Sequence, residues 1–502
     1  MAAQPPAVVV TALRAEYAAL AGRVPGATLA RCGMGPARVD AWLPRMAEIA
    51  PDAVVVAGVA GGVDPTLRPG DVVVATEVRD DRGRIVQRAA APLVAELRRM
   101  GLRVRTGPMI SCDHVVRGPE AMARLAETGA IAVDMESAAI VRAAAGVPTA
   151  VVRVIVDTAY SPVASLATVA SGARALVTLR KLGPALRQWA DLVGPRRVLL
   201  AAPRSFCAGV ERAIDIVELA LQRYPRPVYV RRQIVHNAHV VADLQRQGAV
   251  FVDELDQVPD GTTVVFSAHG VAPSVREEAA RRGLNVIDAT CPLVAKVHSE
   301  ARRFVARGDT VVLIGHEGHD EVEGTMGEAP GKIKLVQNVA DAERVVASDP
   351  EHVSFLMQTT LAVDDATEAV SVLRRRFPSI ESSATDDICY ATTNRQQAVR
   401  AIADESDVMI VLGSANSSNS VRLVEVATRA GVAAHLVDDA NDILPEWLYG
   451  ASTIGITAGA SAPPHLVDEV IETLRQLGSV DVIERSVAAE DVTFMLPKGV
   501  AG

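Results

Sequence analysis

The sequence predicts an α/β protein of several compact units, and three observations carry that reading. Its 502 residues exceed what one hydrophobic core usually supports, and a length of roughly 150 residues per domain suggests about three units. Apolar strand-like runs alternate with helical stretches along nearly the whole chain, the pattern of mostly parallel sheets crossed by helices. The residues able to do chemistry fall at the ends of those runs, where open α/β sheets bind their ligands.

In the first part, AVVVTAL is followed by helical AEYAALAGRV, DAVVVAGVAG by GDVVVATEV, and PTAVVRVIVD by a long helical stretch ending at ADLV. The glycines at 58, 61, 62 and 70 read as tight turns between strands, where glycine adopts conformations closed to other residues. At Gly194-Pro195-Arg196-Arg197 the helix pattern stops and a new strand, VLLAA, starts. The expected domains are therefore 1–194 and 195–502. The second holds VLLAAP, PVYVRRQIVH, TTVVFSAHG, NVIDATC, DTVVLIGHEGH, IKLVQN, HVSFLMQTTL, DVMIVLGSANSSN, AAHLVDD and STIGITAGASAP, nearly all followed by helical sequence.

Composition narrows the function. Apolar residues make up 49% and charged residues 22%, ample for large cores. A net charge of −9 and only 3% aromatic residues argue against nucleic acid as a partner, since neither a basic field nor stacking platforms are available. Five widely spaced cysteines do not form a secreted disulfide pattern, and the N-terminus lacks a signal-peptide core, so a reducing cytoplasm is expected. No apolar run reaches the ~18 residues of a membrane span.

Cys207, Cys291 and Cys389, in RSFCAGVERAI, DATCPLVAKV and DDICYATTNRQ, each mark the passage from a strand-like run to a helical one. Thiolates are the soft ligands of iron-sulfur clusters, and three are one short of the usual four, which would leave one iron open. His236, His269, His316 and His319 also follow apolar runs. Ser417, Ser418, Asn419 and Ser461 stand beside glycines at helix starts, where free backbone N–H groups favour phosphate, although each such cluster could equally be a helix cap. Glu321 and Glu323 are rival carboxylates for a buried acid, and Thr359 and Thr360 offer hydroxyls to a substrate alcohol.

Residues 196 to about 498 resemble the 4-hydroxy-3-methylbut-2-enyl diphosphate reductases, which close the methylerythritol phosphate route to isoprenoids. The motifs FCAGVERAI, IVHN, FSAHGV, DATCPLVAKVH, GHEGHDEVEGTMGE, QTTL, DDICYATTNRQ, GSANSSNSVRL and TAGASAP match in order. The resemblance implies three α/β lobes around a central 4Fe-4S cluster held by Cys207, Cys291 and Cys389. It implies that His236, His269, His319, Ser417, Ser418, Asn419 and Ser461 bind the diphosphate, that Glu321 delivers protons, and that Thr359 orients the substrate hydroxyl. Two-electron reduction, with loss of that hydroxyl as water, would yield isopentenyl and dimethylallyl diphosphates. With no flavin or nicotinamide fingerprint in the chain, the electrons would come from an external donor such as ferredoxin or flavodoxin.

In the N-terminal part, VDMESAAI sets Asp134 and Glu136 before an alanine-rich helix, and Asp157 ends the strand VVRVIVD. With TALRAE, CGMG, GVAGG and PGDVVV, these pieces resemble the nucleoside phosphorylase and adenosylhomocysteine nucleosidase superfamily over residues 7 to 190. That resemblance implies a purine nucleoside ligand, with Asp157 acting at the purine N7, Met135 and Glu136 holding the ribose, and Glu16 matching the carboxylate that activates water. Val59 and Val156 replace serines common in nucleosidases, which leaves water or phosphate open as nucleophile. A likeness to the hopanoid-associated phosphorylase implies an isoprenoid-lipid nucleoside. Two readings of the whole chain follow: a bifunctional enzyme, or a reductase whose N-terminal domain binds a nucleoside or mediates assembly without turnover. The oligomeric state is left open.

Overall fold

The computed structural model describes residues 7–116, 118–158, 166–383 and 385–500. The chain divides into two compact units. The first comprises Met1–Arg197 with the returning segments Leu444–Ser452 and Ile471–Asp481, and the second comprises Val198–Ile443, Thr453–Val470 and Val482–Gly502. Among the described residues, no helix is long and apolar enough to cross a membrane.

The first unit is built on one eight-stranded sheet. Its order is Thr28–Arg31, Val8–Thr11, Val54–Gly62, Ala132–Asp134, Val104–Ser111, Val72–Asp80 and Gly83–Val86. The strand Thr149–Thr158 pairs in parallel with Val54–Gly62 and antiparallel with Val72–Asp80, closing five strands into a ring. Val8, Val9, Val10, Val54 and Val55 are fully buried, as expected of central strands covered on both faces.

One expectation is corrected here. Gly58, Gly61 and Gly62 do not form turns but lie inside the nine-residue strand Val54–Gly62. Close packing accounts for them: a Cβ on Gly58 would stand 2.5 Å from Arg153 Nη1 and 2.6 Å from Glu16 Oε1, and one on Gly61 would stand 3.3 Å from Asp157 Oδ1. The strand needs glycine because charged side chains press against its backbone. Gly70, with φ of 96°, does occupy a turn.

The second unit carries three separate sheets among its described residues. One runs Ala249–Val252, Val228–Arg231, Thr263–Phe266, Asn285–Asp288, and a second Ile333–Val336, Thr310–Ile314, Val353–Met357, both wholly parallel. The third runs Ala433–Val437, Val408–Leu412, Thr453–Ala458, Arg196–Ala202, Val480–Ser486. Each sheet has its own aliphatic core, around Val230 and Val265, Val312 and Phe355, and Val411 and Leu199 respectively. Parallel strands end on the same side of their sheet, so the loops after Arg231, Phe266, Asp288, Ile314, Met357, Leu412 and Ala458 carry the functional side chains.

Candidate active site

In the second unit these loops surround one cavity of about 730 Å³. Its lining contains Cys207, Cys291, Cys389, His236, His269, His319, Glu321, Thr359, Thr360, Ser417, Ser418, Asn419 and Ser461. Most of the C-terminal residues singled out from the sequence are therefore at one wall or another of this space. His316 and Glu323 are outside it. Glu323 is half exposed and paired with Arg232 at 2.7 Å, whereas Glu321 is 5% exposed, which separates the two rival carboxylates.

The three cysteines occupy equivalent local positions. Each is the N-terminal capping residue of a helix, Ala208–Arg223, Pro292–Arg307 and Tyr390–Ala403. Unpaired N–H groups and the helix dipole make that end favourable for negative charge, hence for thiolate. Thr392 N–H donates to Cys389 Sγ at 3.4 Å. All three cysteines are free of disulfides. Burial pushes the Cys291 thiol up to about 12 and Cys389 up to about 11, the neighbouring sulfurs adding to the effect. Buried thiols that resist ionisation alone, yet sit together on helix N-termini, suit a cationic metal group that would draw off their protons. Gly209 makes room for them, since a Cβ there would stand 2.7 Å from Cys291 Sγ and 3.9 Å from Cys207 Sγ. The donor set therefore fits an iron-sulfur group.

Three imidazoles line another wall. His236 and His269 stack with ring centroids 4.0 Å apart, and His319 stands edge-on to both at 5.5 and 6.0 Å. Burial holds all three below the usual histidine range, His269 well below it. His319 caps the helix Asp320–Gly327, its Nδ1 accepting from Glu321 N–H at 3.1 Å, so in the neutral ring the proton is on Nε2. Nδ1 of His236 and of His269 are buried without a hydrogen-bond partner. Asp320, which lies within 3.8 Å of both rings and pairs with Arg232, had no signal in the sequence beyond its place in HDEVEG. Orphaned ring nitrogens and helix N-termini together form a cradle for a multiply charged anion.

Thr359 N–H donates to Glu321 Oε2 at 3.0 Å, and the Thr359 hydroxyl donates to the same carboxylate at 2.9 Å. Burial raises the Glu321 carboxyl above its usual range despite these bonds. Ser417 caps the helix Ser418–Arg429 and stands 3.4 Å from Ser461, while Asn419 Oδ1 accepts from Ala460 N–H at 2.9 Å. Ser417 is thus both a cap and a lining group. Gln358, Thr392 and Phe494 were not identified from the sequence. Gln358 Oε1 accepts from His316 N–H at 3.0 Å and its Nε2 donates to Thr360, but its only signal was adjacency to the two threonines. Phe494 reaches the cavity from the C-terminal tail with no motif around it.

The first unit has its own cavity, of about 690 Å³, lined by Glu16, Val59, Gly61, Asp134, Met135, Glu136, Val156 and Asp157. Glu16 Oε2 accepts from Ala12 and Leu13 N–H at 2.9 and 2.7 Å, and Oε1 from Val59 N–H at 2.7 Å. Glu136 accepts from Gly35 N–H at 2.9 Å. Beneath them lies fully buried Arg153, 2.6 Å from Asp134 and 3.6 Å from Glu136. Sequence reading passed over Arg153, although a cation in the apolar strand VVRVIVD was a signal that acidic partners must surround it. Burial raises both Glu136 and Asp157, the former against the pull of Arg153.

Three thiols that fit an iron-sulfur group, beside an anion cradle at the ends of α/β strands, are the arrangement expected of a redox enzyme acting on a phosphorylated compound. The chain belongs to the LytB protein family, whose model matches residues 198–475, and residues 9–182 match the phosphorylase superfamily. It is 57% identical over 323 residues to 4-hydroxy-3-methylbut-2-enyl diphosphate reductase 2 of Mycobacterium bovis, covering 64% of this chain and 98% of the relative. The corresponding reductase of Leifsonia xyli is 57% identical over 306 residues, 61% of this chain and 91% of its own. The structure of E-1-hydroxy-2-methyl-but-2-enyl-4-diphosphate reductase from Plasmodium falciparum superposes with a TM-score of 0.58 at 36% identity, over 61% of this chain and 96% of that one.

Proposed function

We propose that residues 195–502 reduce 4-hydroxy-3-methylbut-2-enyl diphosphate, taking up two electrons and two protons, losing the allylic hydroxyl as water and giving isopentenyl and dimethylallyl diphosphates. The observation that carries this reading is the sharing of one cavity by three thiols, three imidazoles and the Glu321–Thr359 pair. Cys207, Cys291 and Cys389 would hold one 4Fe-4S cluster, which would pass electrons singly from an external donor such as ferredoxin or flavodoxin.

The protein groups then divide the remaining work. His236, His269, His319, Ser417, Ser418, Asn419 and Ser461 receive the diphosphate, whose charge offsets the cost of protonating crowded imidazoles. Thr359 orients the substrate hydroxyl, and Glu321, which burial disposes to keep a proton, supplies it to the departing oxygen. The apolar parts of the lining, such as Val235 and Phe494, keep bulk water from the allylic carbons.

Residues 1–194 are read as a domain that cleaves the N-glycosidic bond of a purine nucleoside, a hopanoid precursor among the candidate substrates. Asp157 would protonate the base, Met135 and Glu136 would hold the ribose, and Glu16 would orient the nucleophile. A second reading, nucleoside binding without turnover, is favoured by Val59 and Val156, aliphatic at the cavity wall. Anaerobic purification with iron and sulfide analysis, then reduction of the allylic diphosphate with dithionite, tests the first activity. Adenine release with and without phosphate tests the second. Absence of iron, or of reduction by iron-loaded protein, would overturn the reductase reading.

A further inference from the structure

Behind the reductase cavity, and outside its lining, one buried histidine joins the parts that carry its polar groups. His298 lies two turns into the helix Pro292–Arg307 that begins at Cys291, with its side chain 4% exposed. Its Nδ1 is 2.8 Å from Glu328 Oε1, while the other Glu328 oxygen accepts from Arg302 Nη1 at 2.7 Å. An ionised carboxylate only accepts, so Nδ1 carries the proton. Nε2 is buried with no hydrogen-bond partner.

Hydrogen bonding does not explain that end of the ring, but shape does. The Cε1–Nε2 edge packs against two glycines. A Cβ on Gly270 would stand 3.1 Å from both atoms, and a Cβ on Gly324 would stand 3.0 and 3.1 Å from them. Gly270 directly follows His269. Gly324 follows Glu321 by three residues, on the same face of the helix Asp320–Gly327. At both places the imidazole takes the room a side chain would need, and a Cβ on Gly324 would also stand 3.6 Å from the Gly270 carbonyl carbon, so the His269 turn and the Glu321 helix come together against this one ring edge. An apolar residue could fill the space, but the Nδ1 bond to Glu328 also fixes the ring's rotation.

We propose that His298 is a positioning residue of the reductase site, its ring edge packed against both glycine backbones and fixing the imidazole of His269 and the carboxyl of Glu321 relative to each other. The inference rests on reading the cavity as a diphosphate site. It gives His298 no contact with substrate, and it separates this histidine from the three that line the cavity. A rival role, in which Glu328 and His298 pass protons inward to Glu321, makes different predictions.

The test compares His298→Asn, which ends where Nδ1 does, with His298→Gln, which reaches as far as Nε2. Each is measured for binding of inorganic pyrophosphate to the iron-free full chain and for KM and kcat in the iron-loaded enzyme. His298→Asn is expected to weaken pyrophosphate binding and lower kcat, each by roughly tenfold or more, and His298→Gln to recover most of both. Gly324→Ala should impair the native chain and do little further harm in the His298→Asn background, because the added methyl then enters vacated space. Full pyrophosphate affinity in either His298→Asn or Gly324→Ala would overturn the proposal. So would equal loss of kcat in Asn and Gln variants with a displaced pH optimum and unchanged pyrophosphate binding, the signature of a proton path. A native chain that binds pyrophosphate but reduces nothing would sink the activity and leave the positioning role decided by binding alone.

Discussion

The hydroxyl of Thr359 donates to the carboxylate of Glu321 across 2.9 Å, and the Thr359 backbone N–H donates to the same group at 3.0 Å. The acid is thereby fixed in a place 5% exposed to solvent, where its ionised form is disfavoured. Glu321→Gln keeps the shape and removes the exchangeable proton. Its kcat should fall about 10²-fold or more with little change in pyrophosphate affinity, as read by steady-state assay and calorimetry. Because the folded-state pKa of Glu321 lies above the unfolded value, the native chain loses stability as pH rises through the range between the two. The Gln variant should escape that loss, so its melting temperature relative to native should rise with pH.

The imidazole cluster predicts proton uptake on binding. His236, His269 and His319 are held below their ordinary range in the empty cavity, chiefly by burial. A bound diphosphate favours their charged forms, raising these values. Binding therefore takes up protons, and affinity should fall as pH rises through the values in the complex. Calorimetry in buffers of different ionisation enthalpy would reveal the uptake, and its absence would show that the rings act as neutral donors.

Room for the sulfurs depends on Gly209. Its substitution by alanine would put a Cβ 2.7 Å from Cys291 Sγ, closer than carbon and sulfur approach. Gly209→Ala should lower iron content to roughly half or less under anaerobic reconstitution, the added atom having no space in a close-packed wall. Cys291→Ala should abolish both bound iron and reductase activity. Retention of iron by Cys291→Ala would show the ligand assignment to be wrong.

In the first unit, Gly58→Ala should destabilise by about 1–3 kcal/mol, since its methyl would meet Arg153 and Glu16. Arg153→Met should cost more, about 3–5 kcal/mol, by leaving Asp134 and Glu136 buried without their cation. Thermal melting of the full chain, followed by calorimetry to separate transitions, checks both.

If the first unit cleaves a nucleoside as proposed, Asp157 should set the pH dependence of base release. Burial raises its carboxyl, so the protonated acid persists to higher pH than in water, and release should decline as pH rises through that displaced value. Asp157→Asn should remove the dependence together with the activity. A rate that stays level from pH 5 to 9 would assign the proton to another group.

Much of the reductase cavity was legible because rare residue types recur in one local setting. Cysteine, histidine and serine at the C-terminal ends of apolar runs identified Cys207, His236 and Ser417 before any folding was known, since parallel strands deliver such positions to one side. Arg153 and Phe494 were not legible. Arg153 is explained by Glu16, Asp134 and Glu136, which are brought to it from different strands and helices, and Phe494 by a cavity whose other walls come from distant parts of the chain.

By itself the sequence determined the α/β alternation, the family of each part and the chemical types at the strand ends, because these depend on local periodicity and on which side chains can bind metal or phosphate. Only the tertiary structure showed Glu321 enclosed and Glu323 exposed, turned the glycines at 58, 61 and 62 from turns into strand, and set His298 against Gly270 and Gly324. Those outcomes depend on which elements pack against one another, and close packing acts between residues that the chain keeps far apart.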